Sequence, residues 1–381
     1  MRSSTFSFSE CPEGPWLRTW LVAAGLAVAL LAGWECTLRG LGYRPTVVDD
    51  KALWASQRER VYRDGGEQAV VLLGDCRMQL DSVPQVLANQ FPGHRVVQLA
   101  VEQTSPVATL RDLAADERFD GVVICALNAR LLCEDQWDTQ QPYVDYYHNK
   151  YNLNEKLNRL LSAAFQQRLT ILHPQLRLDD VIVHLVKTGR LPSPYYIETH
   201  ADRSRLADYS SVDIAAHRQF TVGRAHWLCA GRALPTSVKW LEDAMKLEKW
   251  VQAIQSRGGD VIFMQFPTTG EHLRYDEYMF PKAQYWDAFA AKISALCLHF
   301  KDVPELADFA CPDWSHLDRT DASRFTQQLA KVLDNQGLFS EPCPVACEEA
   351  TAKDHECCCP DRTKHRLAHA QCPCCSVSGP F

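Results

Sequence analysis

The chain has 381 residues, of which 46% are hydrophobic and 23% charged, enough for one large or two small globular domains. Its net charge of −7 and the lack of any basic block exclude nucleic acid as the expected partner. A slightly negative mean hydropathy excludes a polytopic membrane protein.

The first predicted element is apolar. Residues 19–34 read "TWLVAAGLAVALLAGW" without a charge, between Arg18 and Glu35. With the following "ECTL" the run reaches about 20 residues, the length that crosses a hydrocarbon core of roughly 30 Å. Trp16, Trp20 and Trp34 stand where interfacial aromatics belong. No small-x-small cleavage site directly follows the run, so an uncleaved anchor over 19–38 is expected, with residues 1–18 cytoplasmic. Arg2 and Arg18 precede the span and Arg39 and Arg44 follow it, so charge alone does not orient it.

Residues 39–67 are polar with few strand signals and read as a linker. Three Val- and Ile-rich runs follow: "AVVLL" at 69–73, "RVVQL" at 95–99 and "GVVICA" at 121–126. Nearly continuous apolar runs suit strands buried on both faces of a parallel sheet. Helical patterns lie between them, "SVPQVLANQF" and then "SPVATLRDLAAD" with Pro106 in its first turn. Residues 134–235 form a long insertion rich in Tyr, His and Arg, expected as a helical lid or cap whose aromatics either pack against the core or line a sugar-binding cleft. Beyond it, "SVKWLEDAMKLEKWVQAIQSRGGD" predicts a helix stopped at Gly258-Gly259, and "VIFMQF" the next strand. "AQYWDAFAAKISALCL" predicts another helix, and "SRFTQQLAKVL" a closing one. Alternating strands and helices imply an α/β layer fold with a parallel sheet over residues 68–340.

The chemistry-bearing residues fall at the ends of these elements. The first strand stops at Gly74-Asp75-Cys76-Arg77, and ligands bind at the carboxyl ends of strands in a doubly wound sheet. Near the other end, "CPDWSHLDRTDASRF" sets Asp313 three residues before His316, just ahead of the last helix. One loop thus offers a base and its orienting carboxylate, while the nucleophile comes from a distant strand. Asp75 is read as a turn-bonding residue, and Arg77 either as an anion- or glycan-facing group or as a solvated helix start.

With Gly74-Asp75-Cys76 after the first strand, Asn128 in "VVICALNARL" after the third, and Asp313-Trp314-Ser315-His316 before the last helix, the chain resembles the SGNH (GDSL-like) hydrolase superfamily, in a membrane-anchored bacterial branch. The match covers roughly 68–130 and 260–335. It implies a three-layer αβα, flavodoxin-like domain in which Cys76 is the nucleophile and His316 the base, oriented by Asp313. Asn128 and the Cys76 amide would form the oxyanion hole. Two positions depart from the family: Cys76 replaces the usual Ser, and Gln103 stands about where an oxyanion-hole Gly is expected. A lost oxyanion donor costs about 10²–10³ in rate. The resemblance implies an extracytoplasmic (periplasmic) esterase or acyltransferase, without a catalytic cofactor, acting on acyl groups of exported polysaccharide or cell-wall glycan beside a multi-span acyltransferase. Its rivals are a degenerate scaffold that binds glycan or an assembly partner, and a lipid esterase or thioesterase.

Sixteen cysteines are unevenly spread, eight of them within residues 341–381. The tail carries Cys343, Cys347, Cys357, Cys358, Cys359, His365, His369, Cys372, Cys374 and Cys375, a spacing that resembles a zinc or soft-metal ligand set. Disulfides formed outside the cytoplasm, for which eight cysteines allow 105 pairings, and an unstructured tail of no particular role are the alternatives.

Overall fold

Five short runs with buried, largely β-branched side chains build one parallel sheet: β1 (Gln68–Leu73), β2 (His94–Gln98), β3 (Val122–Ala126), and, after the insertion, β6 (Asp260–Gln265) and β7 (Leu296–His299). The computed structural model describes residues 15–62, 67–229 and 234–339. The strand order is β2-β1-β3-β6-β7, so the chain runs to one side after β1 and to the other after β3. Register pairs Val71 with Val97 on one side and with Val123 on the other.

Alternation along each strand divides the core in two. Val71, Leu73, Val123 and Phe263 join one hydrophobic cluster, whereas Val70, Leu72, Ile124 and Ile262 join a second. The first is closed by α2 (Lys51–Arg60), α5 (Val107–Ala115), α10 (Ser237–Ala244) and α11 (Glu248–Gln255). The second is closed by α3 (Cys76–Asp81), α4 (Pro84–Gln90), α14 (Pro304–Ala307) and α15 (Arg319–Asn335).

Three readings of the sequence change. Residues 39–67, expected as a linker, contain α2, whose Trp54 is fully buried in the first cluster and donates from Nε1 to the Leu99 carbonyl at 2.9 Å. Arg58 of the same helix is fully buried against Asp112 at 2.8 Å. Its polar letters hid an internal ion pair. The helix expected over 283–298 shrinks to α13 (Trp286–Ala290), and Leu296–His299 becomes the edge strand β7, paired with β6. Helical period and strand run overlap there, and the sheet takes the apolar end. The long helix before Gly258 is interrupted by a 3₁₀ turn at Met245–Leu247.

The insertion is mostly helical, as expected, with α6 (Gln141–Asn149), α7 (Leu153–Gln166), α8 (Leu178–Thr188) and α9 (Ile214–Cys229). It also holds an antiparallel pair, β4 (Ile197–Thr199) with β5 (Arg205–Ala207), that the sequence did not signal. It is fastened to the sheet domain: the buried Arg203 bonds Asp49 at 2.6 Å and the Gln98 carbonyl at 3.1 Å. At the N-terminal side, α1 (Trp16–Gly40) is exposed along its apolar length, and it is long and apolar enough to cross a membrane. The last helix to place, α12 (Gly270–Met279), follows β6. Most of residues 1–18, and the whole tail with its ten Cys and His candidates, lie outside the described residues.

Candidate active site

The site starts at a glycine. Gly74 leaves β1 at φ 153°, and a Cβ there would meet the Cβ atoms of Ala126 and Met78 at 2.8 and 2.9 Å. Only glycine lets the end of β1 pass so close to β3. Asp75 then caps α3, its Oδ1 accepting from the Arg77 amide at 3.0 Å, so Cys76 is the first residue of the helix. The turn-bonding role expected for Asp75 is the one observed. Because the chain diverges after β1 and β3, their carboxyl ends open a crevice between the connections, where ligands bind in such sheets.

Asn128 follows β3 on the other side of that crevice. Its Oδ1 accepts from the Arg130 amide at 2.9 Å, which leaves Nδ2 as its donor. Gln103, in the turn after β2, has φ 60°, the left-handed conformation that favours glycine. Its side chain turns to Glu102, 3.1 Å away, in an exposed position. A residue with a side chain therefore holds a backbone conformation that favours glycine.

Asp313 and His316 come from the loop before α15. His316 Nε2 lies 3.1 Å from Cys76 Sγ, and its Nδ1 lies 2.9 Å from Asp313 Oδ2. The other Asp313 oxygen accepts the Ser315 and His316 amides at 2.9 and 2.7 Å. The loop is held from several sides. Trp314 takes φ 72°, and its carbonyl accepts the Thr269 amide at 3.0 Å. Arg218 of α9 donates to the Pro312 carbonyl at 2.8 Å and stacks its guanidinium over the Trp314 ring. From below, Asp81 at the end of α3 accepts the Leu317 amide at 2.8 Å.

Charge follows this geometry. Burial alone would push the His316 imidazolium down, but the negative charges of Cys76 and Asp313 together hold it well above its ordinary 6.5. Burial would raise Asp313, and the His316 charge with its hydrogen bonds wins, holding the carboxyl below its usual range. Asp81, fully buried with Oδ2 lacking a partner among the described residues, is pushed up to about 7 by burial.

Arg77 is not the solvated helix start that the sequence allowed. It is 4% exposed, with Nη2 at 2.9 Å from His272 Nε2 and 3.5 Å from Asp276, and Nε at 3.5 Å from Ser315 Oγ. Burial, reinforced by the Arg77 charge, drives His272 down to about 3, so it meets the guanidinium as a neutral acceptor. Burial also pushes Asp276 up to about 6, against the pull of Arg77.

All six residues singled out for catalysis and substrate binding, Cys76, Arg77, Gln103, Asn128, Asp313 and His316, line one cavity of about 530 Å³. The insertion supplies much of its wall through Tyr195, Tyr196, His217, Phe220 and Arg224, and α12 adds His272, Tyr275 and Asp276. The sequence singled out none of these residues by number, because no fixed spacing links them to the triad. His217 is the most consequential: its Nε2 lies 2.9 Å from the Tyr196 hydroxyl and 3.7 Å from Asp313 Oδ2. Only the aromatic richness of the insertion hinted at such a wall.

Among the described residues no group of three or more His, Cys, Asp or Glu is arranged to hold a metal ion, and the seven described cysteines are free thiols. No protein-family model matches the chain. A search of curated proteins likewise returns no match.

Proposed function

We propose that this chain is a thiol variant of the SGNH hydrolases, a three-layer αβα domain that removes or transfers acyl groups on ester substrates. The observation that carries the reading is the relay from Cys76 Sγ to His316 Nε2 at 3.1 Å and from His316 Nδ1 to Asp313 at 2.9 Å, between two distant parts of the chain. The sheet order, with helices on both faces, supports the fold assignment.

In this reading the Cys76 sulfur attacks the acyl carbonyl while His316 holds the thiol proton. The tetrahedral oxyanion meets Asn128 Nδ2 and the backbone amides of Cys76 and Gln103. Collapse breaks the ester C–O bond, His316 gives its proton to the departing alkoxide, and a Cys76 thioester remains. Water or an acceptor hydroxyl then attacks the thioester, giving its proton to His316, and the thiol is regenerated. Asp313 fixes the imidazole so that Nε2 faces sulfur throughout.

The cavity wall, apolar at Leu80, Leu131 and Ile197, also offers aromatic and charged groups that suit a polar acceptor. Tyr195, Tyr196, Phe220 and Tyr275 alternate there with Arg224, Glu102 and Asp276, a mixture that suits sugar rings with hydroxyl and charged substituents. We therefore take the substrate to be an acylated exported polysaccharide or cell-wall glycan. The domain lies outside the cytoplasm, in the periplasm, held by α1 and working beside a multi-span acyltransferase.

The test is an activated acetyl ester offered to the full chain, with intact mass reporting an acetyl adduct on Cys76. Adduct and turnover should require both Cys76 and His316, and should vanish in Cys76→Ala and fall sharply in His316→Ala. If the wild type is as silent as Cys76→Ala while Cys76→Ser gains turnover, the fold has kept its site without its chemistry, and a glycan-binding scaffold replaces the enzyme.

A further inference from the structure

The uncharged run of α1 ends at Glu35, and the protein body begins there. The Glu35 carboxylate accepts the Thr170 and Ile171 amides at 2.9 Å each, and Arg39 Nη2 donates to the Arg168 carbonyl at 2.6 Å. Eight residues beyond Glu35, the Tyr43 hydroxyl donates to the Pro192 carbonyl, and Pro194 lies within 4 Å of a Cβ built on Gly42. Both ends of the segment 168–194 are thus tied to the first turns after the apolar run. The segment cannot stray far from the level at which α1 leaves its apolar stretch, since α8 at its centre is 11 residues long, about 16 Å.

That segment carries unpartnered apolar surface. Ile182, Val183, Leu185 and Val186 of α8 are 45–81% exposed, and Leu169 and Leu172 are exposed beside them. The main packing partner of α8 is the short turn Pro174–Leu176, so the helix contributes little to either core. Arg168, Arg177, Lys187 and Arg190 are exposed on the same segment, against Asp179 and Asp180, so positive charge is in excess. An amphipathic helix of this composition, held where a spanning helix meets water, has the features of one that lies in the headgroup region.

We propose that α8 with its flanking turns is a second, non-spanning membrane contact, bound to anionic lipid at the surface through which α1 passes. The inference rests on α1 crossing that membrane and is independent of the reaction assigned to Cys76. Its consequence reaches the active site, because Tyr195 and Tyr196 follow the segment directly and line the catalytic cavity. The lipid contact holds the cavity wall close to the membrane surface.

The test uses the full chain in nanodiscs of phosphatidylethanolamine and phosphatidylglycerol, with a diazirine-bearing residue placed in turn at Leu26, Val186 and Tyr278. Leu26 lies on α1, and Tyr278 is an exposed position on α12. After illumination, lipid adducts are expected at 26 and 186, each several-fold above the level at 278. Adducts at 26 with none at 186 overturn the inference and leave the anchor standing. No adduct at 26 removes the anchor and the inference with it. Equal labelling at 186 and 278 overturns it too, as does a crosslink from 186 to a second copy or to another polypeptide, which would make this face a protein interface.

Discussion

The Trp314 indole fills the space that any side chain at Gly270 would need: a Cβ built on Gly270 meets Trp314 Nε1 at 2.4 Å. Gly270 also sits at φ 57°, so it is required twice over. Trp314 lies between Asp313 and His316, and its ring position sets the loop that aims the imidazole. Gly270→Ala should cost about 1–3 kcal/mol in urea unfolding, through overpacking and backbone strain. It should also lower turnover more than KM changes, because the displaced loop loosens the 3.1 Å contact to Cys76. Unchanged stability would show that the ring moves aside freely.

Gln103 holds a left-handed backbone conformation with its side chain in solvent, and in the proposed reaction it supplies only its backbone amide. Gln103→Gly should therefore keep kcat/KM within a few-fold and leave stability unchanged or up to about 1 kcal/mol higher, since a non-glycine residue in that region costs roughly 1–2 kcal/mol. Gln103→Val should lower stability. A large loss of kcat/KM in the glycine variant, measured on the same acetyl ester, would assign the function to the Gln103 side chain and overturn the amide role.

Two buried groups near the loop titrate with opposite consequences for charge and the same sign for stability. His316 is raised above 6.5, so its stabilising contribution is complete below that value and is lost as pH climbs through the raised one. The stability advantage of wild type over His316→Gln should shrink over that interval. Asp81 is raised from 3.8 to about 7, so its ionisation is disfavoured in the fold and wild type loses stability as pH rises between those values. Asp81→Asn keeps an acceptor for the Leu317 amide and removes the titration, so its stability relative to wild type should grow with pH until it levels off above about 7. Denaturant midpoints for the three proteins across this range check both signs. A parallel pH dependence of wild type and Asp81→Asn would refute the assignment for Asp81.

A truncation that begins at Gln68 removes Trp54, Arg58 and Asp49. It exposes part of one hydrophobic cluster and takes Arg58 from Asp112 and Asp49 from Arg203, breaking both ion pairs. Loss of a buried ion-pair partner alone costs about 3–5 kcal/mol, and loss of a buried Trp about as much. That truncation should show no cooperative thermal unfolding, whereas one that begins at residue 45 should unfold cooperatively. Equal behaviour of the two would restore residues 39–67 to the role of a linker.

The sequence by itself determined four of the five strands of the sheet, the exposed apolar helix near the N-terminus, and six of the residues that line the cavity. These are local signals: continuous Val and Ile for strands buried on both faces, an uncharged stretch for α1, and the short blocks around Cys76, Asn128 and Asp313. Tertiary structure alone decided the rest. Trp54 and Arg58 sit in a polar stretch, and only packing against Leu99 and Asp112 makes them core. The apolar end of a helical pattern became β7 because β6 offered an open edge, and pairing outweighs a weak helical preference. His217, Tyr196 and Arg218 reached Asp313 and its loop from the insertion, across more than 90 residues of sequence. No pattern in a single chain records such an approach, because it depends on where whole elements dock and not on any spacing within them.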